Sequence, residues 1–178
     1  MAFLNIGIAL LLFVLAAAVP PANRRRESMD NSRVFTAFPH AVAAFTSSND
    51  TALKCSSATR TYFDLQAGRV SYAWHLKAHS GHPRRDIIFD VSFGPTPGEA
   101  LVTVNNDTSR SFTALYEYSD YDNCVVAKIP YEGHQQCTLW VKKSLKHNIP
   151  RHCLDKYDES CDYRVPLIDR DICNDYDD

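Results

Sequence analysis

Glycine is scarce in this chain, six residues in 178, and the sequence has neither a Gly-rich phosphate loop nor a G-x-S-x-G nucleophile elbow. That removes the common signatures of nucleotide-binding proteins and serine hydrolases. Close C-x₂₋₄-C pairs are also missing, which argues against a structural zinc site. Charge of either sign is not in excess: the formal net charge is -2 and the pI about 6.4, so no nucleic-acid footprint shows in the totals. Past the N-terminus, no run is apolar enough to span a bilayer. His75, His79 and His82 look metal-like, but they run off a strand into the turn "HSGHP". They read as plain surface histidines, and no metal or cofactor is expected.

What is present begins with a targeting segment. "MAFLNIGIALLLFVLAAAVP" carries an apolar run from Ile6 to Val14, then Ala16, Ala17 and Ala18. This is an h-region followed by an A-x-A-like cleavage site, although the n-region has no Lys or Arg. The apolar run is short of the ~20 residues a spanning helix needs. Residues 1–18 are therefore expected to be a cleaved signal peptide and the mature protein to be secreted, with no membrane contact afterwards. In an oxidising compartment an even number of cysteines implies disulfides. There are six: Cys55, Cys124, Cys137, Cys153, Cys161 and Cys173. Bridged cysteines leave no thiol nucleophile, and the chain is not expected to be an enzyme. Two sequons, starting at Asn49 and Asn106, place candidate glycans on exposed surface.

Residues 19–32 are Pro-rich and then charged, with Arg24, Arg25 and Arg26, and read as a solvated N-terminal arm. One domain follows over residues 33–178. A short helix is expected over Asp30 to Phe38, ended by Pro39. From there to Lys143 the chain reads as strands: "HAVAAFT", "LKCSSATRTYFDL", "GRVSYAWHLKAH", "DIIFDVSF", "EALVTV", "SFTALYEY", "CVVAKI" and "CTLWVKK". Seven or eight short strands with Gly, Pro, Asn and Asp between them suggest an antiparallel sandwich or barrel. Beyond the last strand the period changes. Pro150 suits a helix N-terminus, and Cys153, Leu154 and Tyr157 then share one helix face.

Alternation assigns the strand faces. Val70, Tyr72, Trp74 and Leu76 share one; Ile87, Phe89, Val91 and Phe93 another; Phe112, Ala114, Tyr116 and Tyr118 a third. These aromatic faces suit either a filled core or a barrel holding one small ligand. On the last two strands, Cys124 lies with Val126 and Lys128, and Cys137 with Leu139 and Val141. The opposite faces hold Val125 and Ala127, and Thr138 and Trp140. With Trp140 inward, both cysteines point out and can staple whatever packs over the sheet.

Over its last third the sequence resembles the tick salivary histamine-binding lipocalins. The stretch "FTALYEYSDYDNC", a Leu-Trp pair in the last strand, "NIPRHCLDKYDE" and a terminal Cys carry the resemblance. It implies an all-β fold: an eight-stranded antiparallel lipocalin-like barrel with a short N-terminal helix and a C-terminal helix packed on the outside. It also implies the bridges Cys55–Cys173 and Cys124–Cys153. Cys137 and Cys161 remain as the third pair, which agrees with the outward parity of Cys137.

For function the resemblance implies a monomeric salivary protein that sequesters a small host mediator, a biogenic amine such as histamine or serotonin, and so evades host defence. Such an amine sits between rings and carboxylates, where charge-assisted hydrogen bonds and ring faces hold the ammonium. Phe112 and Trp140 match lining aromatics, with Tyr72, Trp74 and Tyr116 on the same inward faces. Asp86 aligns with an amine-binding acid, and Asp50 matches a second across a gap. Alternation with Phe89 nevertheless turns Asp86 outward, and Asp50 sits inside a sequon. At the positions of a second amine site stand Val125 and Thr138, so at most one amine per barrel is expected. Val102 and Val104 replace two further lining aromatics. A second reading is therefore a scavenger of a fatty acid or eicosanoid, its carboxylate held by Lys142 or Arg69 at the mouth. A third is a surface protein-interaction module with a filled barrel.

Overall fold

A computed structural model describes residues 28–131 and 133–173; the expected signal peptide and residues 19–27 of the arm lie outside them. The chain enters through helix α1, Asn31–Ala37. Asp30 caps it by accepting hydrogen bonds from the backbone N–H groups of Ser32 and Arg33, as an N-cap carboxylate should. The helix starts two residues ahead of the expected domain boundary at 33, so the end of the arm is already part of the fold.

Eight strands follow: β1 (His40–Thr46), β2 (Ser57–Asp64), β3 (Arg69–Leu76), β4 (Arg85–Phe93), β5 (Glu99–Val104), β6 (Asp107–Ser119), β7 (Cys124–Tyr131) and β8 (His134–Val141). Each pairs antiparallel with the next; β8 pairs with β1, and β1 pairs back with β2. The ring closes, so the architecture is a barrel and not a sandwich. Helix α2 (Arg151–Ser160) lies on the outside, and the two-residue β9 (Val165–Pro166) adds to β1.

Local chemistry sets the corners. Asn105 and Asn106 both take positive φ, 52° and 57°, which makes a two-residue hairpin whose twist matches its strands. The expected second strand begins late. Thr51–Leu53 forms a 3-10 turn capped by Asp50, and Cys55 sits at φ 58°, so extended pairing starts only at Ser57.

Alternation divides the apolar residues into two clusters, one on each side of the wall. The inner one takes Val70, Tyr72, Trp74 and Leu76 of β3, Ile87, Phe89 and Val91 of β4, and Val125, Ala127 and Trp140 of the last hairpin. Phe93, Phe112 and Tyr116 pack against it. The expected fourth member of the β6 face, Tyr118, does not. A bulge between Tyr116 and Tyr118 shifts the register, and one extra residue turns the next side chain to the other face. Tyr118 therefore packs outside, under α2.

Helix α1 stoppers one end. Phe35 stacks on Phe93 with ring centroids 5.2 Å apart and meets Tyr116 edge-on, also at 5.2 Å. At the other end the β1–β2 connection lays Leu53 into the inner cluster. The outer cluster joins Val42, Ala44, Val126, Leu139 and Val141 to Cys153 and Tyr157 of α2. Its covalent staples are Cys55–Cys173, Cys124–Cys153 and Cys137–Cys161, with Cα separations of 5.2, 6.1 and 5.8 Å.

Candidate functional site

The barrel interior brings together the five aromatic residues proposed as ligand-lining, Tyr72, Trp74, Phe112, Tyr116 and Trp140. Trp74 lies 4.4 Å from Phe89 and 4.8 Å from Trp140, centroid to centroid, and Phe89 meets Phe112 edge-on at 6.5 Å. The Trp140 indole N–H donates to Thr138 Oγ1 at 2.9 Å, and that hydroxyl in turn donates to the carbonyl of Ala127 at 3.3 Å. The polar tip of Trp140 is thus satisfied inside the wall and leaves its ring face to the interior.

Between these rings and the stopper is a cavity of about 70 Å³, bounded by Phe35 and Phe38 on one side and by Tyr72, Trp74, Tyr116 and Trp140 on the other. Val125, Ala127 and Ile129 complete an almost wholly apolar lining. The Tyr72 hydroxyl donates to the carbonyl of Phe38 at 2.7 Å, tying the barrel wall to the end of α1. Burial pushes both phenols, Tyr72 and Tyr116, above their ordinary range, Tyr72 despite the opposing pull of Arg60. They are neutral hydrogen-bonding groups at any physiological pH.

Neither expected acid reaches this space. Asp86 stands on the outer wall with its side chain 49% exposed, and His75 Nδ1 is 3.0 Å from its Oδ1. The reason is the strict alternation of β4, where Ile87 and Phe89 take the inward positions. Asp50 spends one carboxylate oxygen on the 3-10 turn, accepting from the Ala52 N–H at 2.9 Å. Among the described residues, no Asp or Glu lines the cavity. Val102 and Val104 are buried inside, as expected of their strand.

The cations expected at the mouth are elsewhere too. Lys142 follows β8 at the stoppered end and pairs with Asp122 at 2.8 Å. Arg69 begins β3 at that same end, opposite Ser92. The end opposite the helix offers different ones. Arg85 lies opposite Leu76, two residues before Ile87, and so has inward parity at the rim, while Arg110 falls in the register shift between Asp107 and Ser111 at the same rim; both are exposed. The sequence reading also missed Arg60. Its Nη1 donates to the carbonyl of Phe35 at 2.5 Å, and its guanidinium lies 4.4 Å from the centre of the Phe63 ring. The signal was available: Arg60 stands two residues from inward Ala58 and opposite Tyr72.

The three histidines do not converge. His75 is on Asp86, while His79 and His82 face each other across a tight turn with ring centroids 5.3 Å apart. Asp120, Cys124, His152 and Cys153 do bring ligand atoms within 4.8 Å of one another. Cys124 and Cys153 are bonded to each other, so this group has no thiolates to offer a metal. Asn49 and Asn106 are both exposed.

The profile of one protein family, described as tick histamine binding protein, matches residues 43–174. Among curated proteins, none matches the chain. Solved structures similar to it include the AM182 serotonin complex, at 16% identity and TM-score 0.60, covering 80% of this chain and 91% of that one. Japanin from Rhipicephalus appendiculatus bound to cholesterol aligns at 14% identity and TM-score 0.54, over 74% and 94% of the two chains. Apocrustacyanin C1 follows at 16% identity and TM-score 0.50, over 72% and 69%.

Proposed function

The chain belongs to the tick histamine-binding protein family, and from that premise we propose that it is a secreted scavenger of a fatty acid or eicosanoid, held apolar end inward in the barrel. One observation carries the choice among small ligands: among the described residues no carboxylate lines the cavity. An ammonium entering it would shed its water and gain no counter-ion, at a cost of several kcal/mol. A hydrocarbon tail asks only for apolar surface, and the lining of Phe35, Trp74, Val125, Ile129 and Trp140 supplies it. The carboxylate of such a ligand would remain at the rim, near Arg85 and Arg110. The resting cavity holds only a short stretch of chain, so seating a longer tail calls for the Trp74, Phe89 and Phe112 rings to turn aside. Secretion is supported by the signal-like first 18 residues and by the three disulfides. Among the described residues no helix is long and apolar enough to cross a membrane.

Titration calorimetry with arachidonic acid, a leukotriene, histamine and serotonin tests the reading. A fatty acid or leukotriene should bind one per chain, and the paired substitution Arg85→Gln and Arg110→Gln should weaken it about tenfold, or roughly 1.4 kcal/mol. Tight binding of either amine with no binding of the acids would overturn it.

A further inference from the structure

The polar tips on the cavity lining are unequally served. The Trp140 N–H donates to Thr138, and the Tyr72 hydroxyl donates to the Phe38 carbonyl. Tyr116 borders the same cavity, yet among the described residues no group accepts the proton of its hydroxyl or donates to its oxygen.

The strand fixes where this side chain goes. Tyr116 lies opposite Ala127, a member of the inner cluster, on the inward side of the bulge that sends Tyr118 out. Its backbone N–H donates to the Gly98 carbonyl at 2.7 Å, and its ring meets Phe35 of α1 edge-on at 5.2 Å. Backbone and ring are thus both held. Burial raises the Tyr116 phenol's pKa, and the neighbouring Tyr72 phenol adds to the effect. A hydroxyl kept in such surroundings without a hydrogen bond is costly to the fold. A ligand that brings an oxygen to it removes that cost.

On the fatty-acid reading above, we propose that Tyr116 is a specificity-determining residue. Its hydroxyl donates a hydrogen bond to an oxygen at the buried end of the ligand's hydrocarbon chain. The preferred ligand is then a fatty acid hydroxylated toward its far end, not a plain one. Tyr72 suits the same ligand. Its proton is committed to Phe38, but its oxygen keeps the capacity to accept. A ligand hydroxyl is both acceptor and donor, so it can take a proton from Tyr116 and offer its own to Tyr72.

The alternative differs in sign. In a cavity that offers only apolar surface, a hydroxyl added to the tail sheds its water for nothing and weakens binding. With Tyr116 as partner the order reverses, because a site built to hydrogen-bond a hydroxyl disfavours the analogue that lacks it.

The test is titration calorimetry of the full chain with palmitic acid and its ω-hydroxy derivative, on the parent and on Tyr116→Phe, which removes only the phenol oxygen. The parent should bind the hydroxy acid at least about tenfold more tightly than palmitic acid. In Tyr116→Phe that preference should disappear, because the hydroxy acid loses affinity. Without ligand, Tyr116→Phe should melt no lower than the parent, since no hydrogen bond within the fold is lost. Equal or weaker binding of the hydroxy acid by the parent, or a preference that survives the substitution, would overturn the role of Tyr116 and leave the fatty-acid reading standing. A lowered melting temperature would overturn it too, by showing that the hydroxyl serves the fold. Binding of neither acid would overturn both.

Discussion

The Asp120 carboxylate lies 2.8 Å from Nε2 of His152, joining the turn between β6 and β7 to the first turn of α2. The same carboxylate accepts from the backbone N–H groups of Asp122, Asn123 and Cys124. It thus fastens the helix beside the Cys124–Cys153 bridge. Burial works to raise the carboxyl's pKa, but the His152 contact and the three backbone N–H groups outweigh it and hold the group below the usual carboxylate range. The sign for stability follows. A depressed carboxyl stabilises the fold above its unfolded value, and that contribution is lost as pH falls through the folded one. Asp120→Asn should therefore lower the melting temperature at pH 7 and flatten the loss of stability that the parent shows below about pH 4. A parallel pair of acid-melting curves would show the role to be absent.

The three bridges should not be equal. They close 118, 29 and 24 residues of sequence. In the chain-entropy account a loop of about 100 residues contributes about 4.7 kcal/mol and one of about 15 residues about 3 kcal/mol. Replacing Cys55 and Cys173 together by Ser should thus cost more than replacing Cys137 and Cys161. Urea unfolding of the two double variants gives the order.

Strands, faces and staples were legible because they follow from short-range rules. Alternation put Trp140 inward and Cys137 outward with no knowledge of the partner strands, and the resemblance added the pairing. The barrel's closure was not legible: it depends on β1 reaching β2 over three residue pairs, which no local pattern reveals. Tyr118 was misplaced because a bulge adds one residue without leaving a Gly or Pro to mark it. The acids of the candidate site are the clearest case. The resemblance assigned Asp86 to the ligand, while the alternation of its own strand assigned it to the outer wall, and the strand was right.

That conflict gives a direct test. Asp86 meets His75 on the outside, so Asp86→Asn should leave affinity for any barrel ligand within about twofold and stability within about 0.5 kcal/mol, the range of a surface substitution. Calorimetry alongside thermal melting would check both. A tenfold loss of affinity with an unchanged melting temperature would place Asp86 on the ligand after all.

Trp140 is the opposite case. It is 5% exposed, touches Trp74 and borders the cavity. Trp140→Ala should cost about 3–5 kcal/mol through the space it leaves, and Thr138 Oγ1 would lose its indole donor. Trp140→Phe removes the N–H and keeps most of the ring, so it should fold with a smaller loss. Both tryptophans of the chain lie in this cluster, so a ligand that turns their rings aside should change the intrinsic fluorescence of the parent strongly. In Trp140→Phe only Trp74 is left to report, and the change should shrink without vanishing. A ligand that binds at full stoichiometry while leaving the parent's emission untouched would have to sit somewhere other than the barrel interior.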